Sequence, residues 1–274
     1  MTGWTRSELK SRAKSCLRLY YWPAFVVSLI LTVVTGGWTS GSSSAAGGGS
    51  GEGYIGGSFE LSLPEILGIL MVLVSMVLII IAVAVVIQIF IGNPLQVGGW
   101  RFFMESRAKQ QSAGMGRVFW AFSGGRYGNV VKIMFLRDIK TFLWSLLLVI
   151  PGIIKSYEYR MIPMILSENP DMDSREVFAL SREMMNGNKW AAFVLDLSFL
   201  GWEILAVIVG GVLGFLLPFF FGIVAMLPMM FVFPYINATE AELYGYFRSR
   251  CGRSDLRGYG EPQVYNSDGS WWNG

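Results

Sequence analysis

Residues 66–91 read ILGILMVLVSMVLIIIAVAVVIQIFI, with no charged side chain anywhere in the run. Crossing the hydrocarbon core of a bilayer takes about 20 apolar residues in a helix, so this stretch is long enough to span one. Two further runs, Tyr20–Val34 and Ile204–Ala238, are equally free of charge. Upstream of the quoted run, Gly36–Leu63 holds no Lys or Arg but carries Glu52 and Glu60. Basic residues gather on the other side: Arg6, Lys10, Arg12, Lys14 and Arg18 ahead of the first run, Arg101, Arg107 and Lys109 after the second. This is the positive-inside pattern, with the N-terminus in the cytoplasm. Apart from Lys155 and Arg160, every Lys and Arg can be placed on that same side. The chain therefore reads as an all-α, polytopic transmembrane helical bundle.

Composition agrees with that class and narrows the functions open to it. Apolar residues make up 53% and charged residues 15%, where soluble domains carry about 25% charged. The net charge of +3 is small, and its basic residues lie along membrane-proximal segments, where anionic headgroups attract them. Nucleic acid is not an expected partner. Cys16 and Cys251 both fall in segments assigned to the cytoplasm, which disfavours a structural disulfide. The chain has no histidine, and so lacks the commonest general base and metal ligand; no metal or cofactor is expected. The basic start followed by an apolar run has the layout of a signal peptide. The only approach to a cleavage site is Ser44-Ala45-Ala46, so the run is taken as a retained helix.

Local signals place the elements. Thr5 with Glu8 has the capping-box form, and Leu9, Ala13, Leu17 and Tyr20 follow at helical spacing. Either a short interfacial helix precedes the first span or one helix runs through both. Tyr20, Tyr21 and Trp22 are expected at an aromatic belt, as are Trp100, Phe102 and Phe103 beside Arg101. Gly92-Asn93-Pro94 signals a turn back to the cytoplasm, and 104–127 an interfacial helix and turn. Asp173 with Glu176 caps an amphipathic helix that Asn186-Gly187 closes; this cytoplasmic helix is expected to pack on the membrane or on the bundle. The charge-free run from Ile204 would reach about 52 Å as one helix. Gly210, Gly211, Gly214 and Pro218 mark its break into two.

Asn129–Glu168 decides the number of spans. Its apolar block, Phe142–Ile154, is interrupted by Pro151-Gly152 and flanked by Lys132, Arg137, Asp138 and Lys140 before and Lys155, Glu158 and Arg160 after. As a single crossing it would send Arg175, Arg182, Lys189, Arg248, Arg250, Arg253 and Arg257 outside. A hairpin turning at Pro151-Gly152 keeps them all inside and brings the total to about six spans. Its returning half, 153–167, reaches only about 23 Å and carries three ionisable groups. The hairpin is then re-entrant, or these groups face a protein-lined or wet interior. The expected organisation is one transmembrane helical domain over 1–247, with a Gly/Ser-rich external loop at 36–62, and a disordered cytoplasmic tail over 248–274.

The motif order resembles a known family. Gly92-Asn93-Pro94-Leu95-Gln96-Val97-Gly98 is followed by Arg101-Phe102-Phe103, then by Leu147–Tyr157 with Pro151-Gly152 at its centre. Glu168-Asn169-Pro170, Ser181–Gly187 and Phe193–Trp202 come after it in turn. Together they are similar to the bacterial integral-membrane family catalogued as domain of unknown function 975, over nearly the whole chain except the Gly/Ser loop and the tail. More distantly, the Pro-Gly hairpin and the Ser-Arg helix resemble the membrane domain attached to some glycerophosphodiester phosphodiesterases. No catalytic phosphodiesterase domain accompanies it, so that activity does not carry over. The resemblance implies a six-span fold and residence in a bacterial cytoplasmic membrane, and it implies no biochemical role; the charge pattern puts both termini inside.

Candidate functional residues are the ionisable groups within the apolar segments: Lys155, Glu158, Arg160, Asp196 and Glu203. Such groups are costly in lipid and suggest a pathway. Lys155 and Glu158, three apart on one helix face, can instead pair, and Arg160 can pair with Asp196 or Glu203 to fix helix packing. Arg175, Arg182 and Lys189 mark the interfacial helix. The expected function is a non-enzymatic membrane component that binds lipid, peptide or a membrane-protein partner. The alternative is a small-solute or lipid transporter or channel using the charged set. An acid–base role for Glu158, Asp196 and Glu203 lacks an accompanying His, in-span Cys nucleophile or metal cluster, and no catalytic residue is assigned.

Overall fold

The computed structural model describes residues 4–34, 63–216 and 221–251, and these are helical with no strand among them. The loop 36–62 and residues 252–274 of the tail lie outside the described residues. Helix α1, Arg6–Val34, starts where Thr5 Oγ1 accepts the Glu8 amide at 3.3 Å. The Glu8 carboxylate turns down to Arg12 rather than back to the cap. The two readings of this region merge into one helix bent at Tyr20 (φ −142°, ψ 35°), three residues ahead of Pro23. A proline ring inside a helix expels a backbone hydrogen bond from the turn before it. Leu9, Ala13, Leu17 and Tyr20 face inward before and at the bend, and Ala24, Val27 and Leu31 after it. Tyr20 is thus core, while its neighbour Trp22 is exposed.

Helix α2, Leu63–Ile87, has every side chain from Leu67 to Ile87 exposed. No turn follows at Gly92-Asn93-Pro94. A π-helical turn, Gln88–Gly92, leads straight into α3, Asn93–Lys109, so that Leu67–Lys109 is one helical rod. The physical reason lies in two local adjustments. The Asn93 amide reaches back five residues to the Gln88 carbonyl, widening the helix where Pro94 enters. The Phe90 carbonyl, four residues before Pro94, accepts the Tyr127 hydroxyl at 2.8 Å instead of an amide that proline lacks.

Helix α3 is the centre of a compact base and not a belt. Trp100, Phe102 and Phe103 are buried, and Phe102 meets Tyr20 edge-on at 6.2 Å. A 3₁₀ helix, Met115–Phe122, lies directly on it. A Cβ on Gly98 would come 1.8 Å from the Val118 carbonyl oxygen, so only glycine permits this approach.

Helices α4, Tyr127–Leu147, and α5, Val149–Glu158, are joined by the single extended residue Leu148 (φ −158°, ψ 139°). The turn therefore falls ahead of Pro151-Gly152. Pro151 sits in the first turn of α5, where an amide has no helical acceptor, and Gly152 lets α5 close on α4, with its would-be Cβ 2.6 Å from Ser145 Cα. Helix α6, Ile162–Glu168, is buried throughout. Helix α7, Ser174–Met185, starts on the Asp173 carboxylate, which accepts the Arg175 amide at 3.0 Å, and ends at Asn186-Gly187 (φ 73° at Gly187). Its apolar face is covered by protein: Phe178 stands edge-on to Tyr159 at 5.0 Å, and Ser181 donates to the Glu158 carbonyl at 2.8 Å.

Helix α8, Lys189–Leu216, runs unbroken through Gly210, Gly211 and Gly214. Ala206, Gly210 and Gly214, one turn apart, are buried, a small-residue stripe that suits close helix packing. Helix α9, Phe221–Arg250, packs along α8 and α1; Pro218, the remaining marker of the expected break, lies outside the described residues. Because α9 continues to Arg250, residues 248–250 belong to the helical bundle and not to the tail. Among the described residues, three helical segments are long and apolar enough to cross a membrane: Arg6–Thr32, Leu67–Lys109 and Lys189–Leu216.

Candidate functional site

Arg160 occupies the turn between α5 and α6 and reaches across to α8 and α9. Its Nη1 and Nη2 donate to the two carboxylate oxygens of Asp196 at 2.6 and 2.8 Å, and Nη2 also donates to Glu240 at 2.6 Å. The Tyr157 hydroxyl, from the last turn of α5, donates to Asp196 Oδ2 at 2.6 Å. A bidentate guanidinium–carboxylate pair is the strongest and most directional of the side-chain ion pairs. Beside it, Glu158 accepts from both Lys155 and Lys189, the latter at 3.2 Å. Three cations thus meet three carboxylates, and the assembly is electrically neutral.

The five expected residues divide accordingly. Lys155 pairs with Glu158, three residues along the same helix, and Arg160 with Asp196. Glu203 stands two turns beyond Asp196 on α8 and is part-exposed. The interfacial set is not one site. Arg175 and Arg182 are exposed on the outer face of α7, with Arg182 5.8 Å over the Tyr159 ring, whereas Lys189 joins Glu158.

A second charged layer, in the base, was not anticipated. Glu105 is buried against Lys109 (2.6 Å), Arg117 (3.1 Å) and Arg101 (4.0 Å). Glu242 is buried against Arg107 at 3.0 Å and accepts from Cys16 Sγ at 3.7 Å. Glu168 is buried against Arg248 at 3.2 Å and accepts the Tyr244 hydroxyl at 2.9 Å. Burial pushes the Glu168 carboxyl above its usual range, against the pull of Arg248 and Tyr244. Arg101 also donates to the Ser167 carbonyl at 2.9 Å and stacks on Trp120 at 3.7 Å. Only Arg101, Glu105 and Lys109, at four-residue spacing, carried a signal in the sequence. The other pairs, like Glu240 with Arg160, join elements remote along the chain.

Chemically, these carboxylates are engaged by cations and hydroxyls, and proton transfer at any of them would first have to break an ion pair. Among the described residues no three His, Cys, Asp or Glu side chains gather in a metal-binding group. Fold and site define an all-helical protein with segments able to cross a membrane and charges closed into pairs at one end. Residues 118–250 match the family described as Protein of unknown function (DUF975), the family that the motif order resembles. That stretch holds every candidate residue from Lys155 to Glu203, together with Glu240. No curated protein and no solved structure matches the chain, and the likeness to the phosphodiesterase membrane domain gains no support from either comparison.

Proposed function

We propose that this is an integral protein of a bacterial cytoplasmic membrane that acts as a non-enzymatic component, binding lipid, peptide or another membrane protein. In this reading α1, α2, α8 and α9 cross the bilayer, and the basic start of α1, the base and the end of α9 face the cytoplasm. The remaining two of the six apolar segments are α4 and α5, which enter from the same side. One observation supports a packing role for this charged set over a solute pathway: Arg160 is held bidentately by Asp196 and a third time by Glu240. A group so fully engaged fixes the packing of α5, α8 and α9, whereas a solute pathway needs a charge free to exchange partners.

The test is extraction into native lipid discs, with mass spectrometry of what co-purifies, beside flux assays on the purified protein in liposomes. The expected result is a stoichiometric partner or a defined lipid, and no flux. A solute flux that disappears in Asp196→Asn at unchanged folded yield would overturn the reading in favour of transport.

A further inference from the structure

The tip of the α4–α5 hairpin is apolar and bare. Phe142, Leu146, Leu147, Val149 and Ile150 are exposed, Val149 at 71%, and so is Ile153 on the returning arm. Burying such a surface in an apolar medium is favourable, and nothing among the described residues covers it. Its length decides what can. The arms are bracketed by Lys140 on α4 and Lys155 on α5. From Lys140 to Leu147 a helix rises about 10 Å, and from Val149 to Lys155 about 9 Å. A hydrocarbon core is about 30 Å thick. Two arms of this length cannot cross it, but they match a dip into one leaflet.

The charges fit the same depth. Lys155 is tied to Glu158, and Lys140 lies 3.8 Å over the Phe178 ring, so both stay at the foot of the hairpin. Basic groups at that level face phosphate headgroups while the tip lies among acyl chains. Extended Leu148 and the close Gly152–Ser145 contact hold the two arms as one wedge.

We infer that the α4–α5 tip is a re-entrant wedge whose partner is the acyl-chain layer of a single, cytoplasmic leaflet. The inference rests on the membrane reading above and refines it: four segments cross, and the fifth and sixth turn back inside one leaflet.

The experiment uses the full-length chain with Cys16→Ser and Cys251→Ser, in vesicles of phosphatidylglycerol and phosphatidylethanolamine. Nitroxide labels are placed singly at Val149→Cys, at Leu78→Cys in α2 and at Arg175→Cys on α7. Oxygen and a water-soluble nickel chelate report depth, and an impermeant thiol reagent applied to each face of the same single-cysteine variants before labelling reports sidedness. The expected result places Val149 in lipid, shallower than Leu78 and on the leaflet next to Arg175, unreactive from the opposite face. A Val149 thiol that reacts from the face opposite Arg175 would overturn the inference as a full crossing. A water-accessible Val149 beside a lipid-buried Leu78 would overturn the wedge alone. If Leu78 itself is water-accessible, the membrane reading fails and the wedge with it.

Discussion

Truncating Arg160 to alanine tests whether the neutral assembly is a packing device. The substitution removes three charge-assisted hydrogen bonds and leaves Asp196 and Glu240 facing each other without a cation. Breaking a buried pair from one side costs about 3–5 kcal/mol, because a charge is left uncompensated. Here the cost sits below that range. The Asp196 side chain is 36% exposed and can take up water, whereas Glu240, at 18%, is less able to. An expected loss of about 2–3 kcal/mol corresponds to about 4–12 °C in melting temperature for a chain of this size. The assay is the melting temperature and monodisperse yield of detergent-solubilised protein.

Replacing the whole group supplies the control. Arg160→Met with Asp196→Leu, Glu240→Met and Tyr157→Phe leaves no unpaired polar atom, and such replacements are commonly neutral or stabilising. Recovery of most of the lost stability is expected. If Arg160→Ala melts like the wild type, or the apolar replacement is no better than the single truncation, the pairing does not fix the packing and the reasoning is refuted.

Three further outcomes follow from single contacts. Gly98→Ala forces α3 and the 3₁₀ helix apart, since its Cβ would lie 1.8 Å from the Val118 oxygen. A loss of about 1–3 kcal/mol is expected, and an unchanged melting temperature would show that the two elements do not touch. Tyr127→Phe removes the donor to the Phe90 carbonyl and should cost about 1 kcal/mol. In a Pro94→Ala background, where an amide returns at residue 94, the cost should shrink, and an equal cost in both backgrounds would refute the compensation. Glu168 has a raised pKa in the fold, so its contribution to stability is complete below the unfolded value of about 4.3 and is lost as pH rises through the folded one. The melting temperature should therefore rise as pH falls from 8 toward the unfolded value more steeply in the wild type than in Glu168→Gln, and equal slopes would contradict the assignment.

What the sequence carried, and what it did not, separates along physical lines. Long apolar runs, caps and the Lys155–Glu158 spacing are local, and each reappears: the Thr5 and Asp173 caps, the end at Asn186-Gly187, the pair itself. The misread signals were local too, but their meaning depends on a distant partner. Gly92-Asn93-Pro94 reads as a turn until Tyr127 supplies the missing donor. Trp100, Phe102 and Phe103 beside Arg101 read as a belt until the packed base buries them, with Tyr20 of α1 against Phe102. An aromatic next to an arginine is compatible with an interface and with a core, and only the tertiary neighbours decide between them.

The same reasoning explains why the base was invisible. Glu105, Glu168 and Glu242 look like ordinary solvated charges in polar segments, yet each is buried and met by an arginine. Two of these contacts tie α3 to a neighbour: Arg107 reaches Glu242 on α9, and Arg117 on the 3₁₀ helix reaches Glu105. The third, Arg248 on α9, reaches Glu168 on α6. Apolar contact alone would leave these helices free to slide, since burial is not directional. Paired charges have a defined geometry and are costly to leave unmatched. The base thus has one register in which these three carboxylates are met, and that register locks α3, the 3₁₀ helix, α6 and α9 against one another. The order of the apolar helices is decided at their charged ends, which is why hydropathy reveals the helices and not their arrangement.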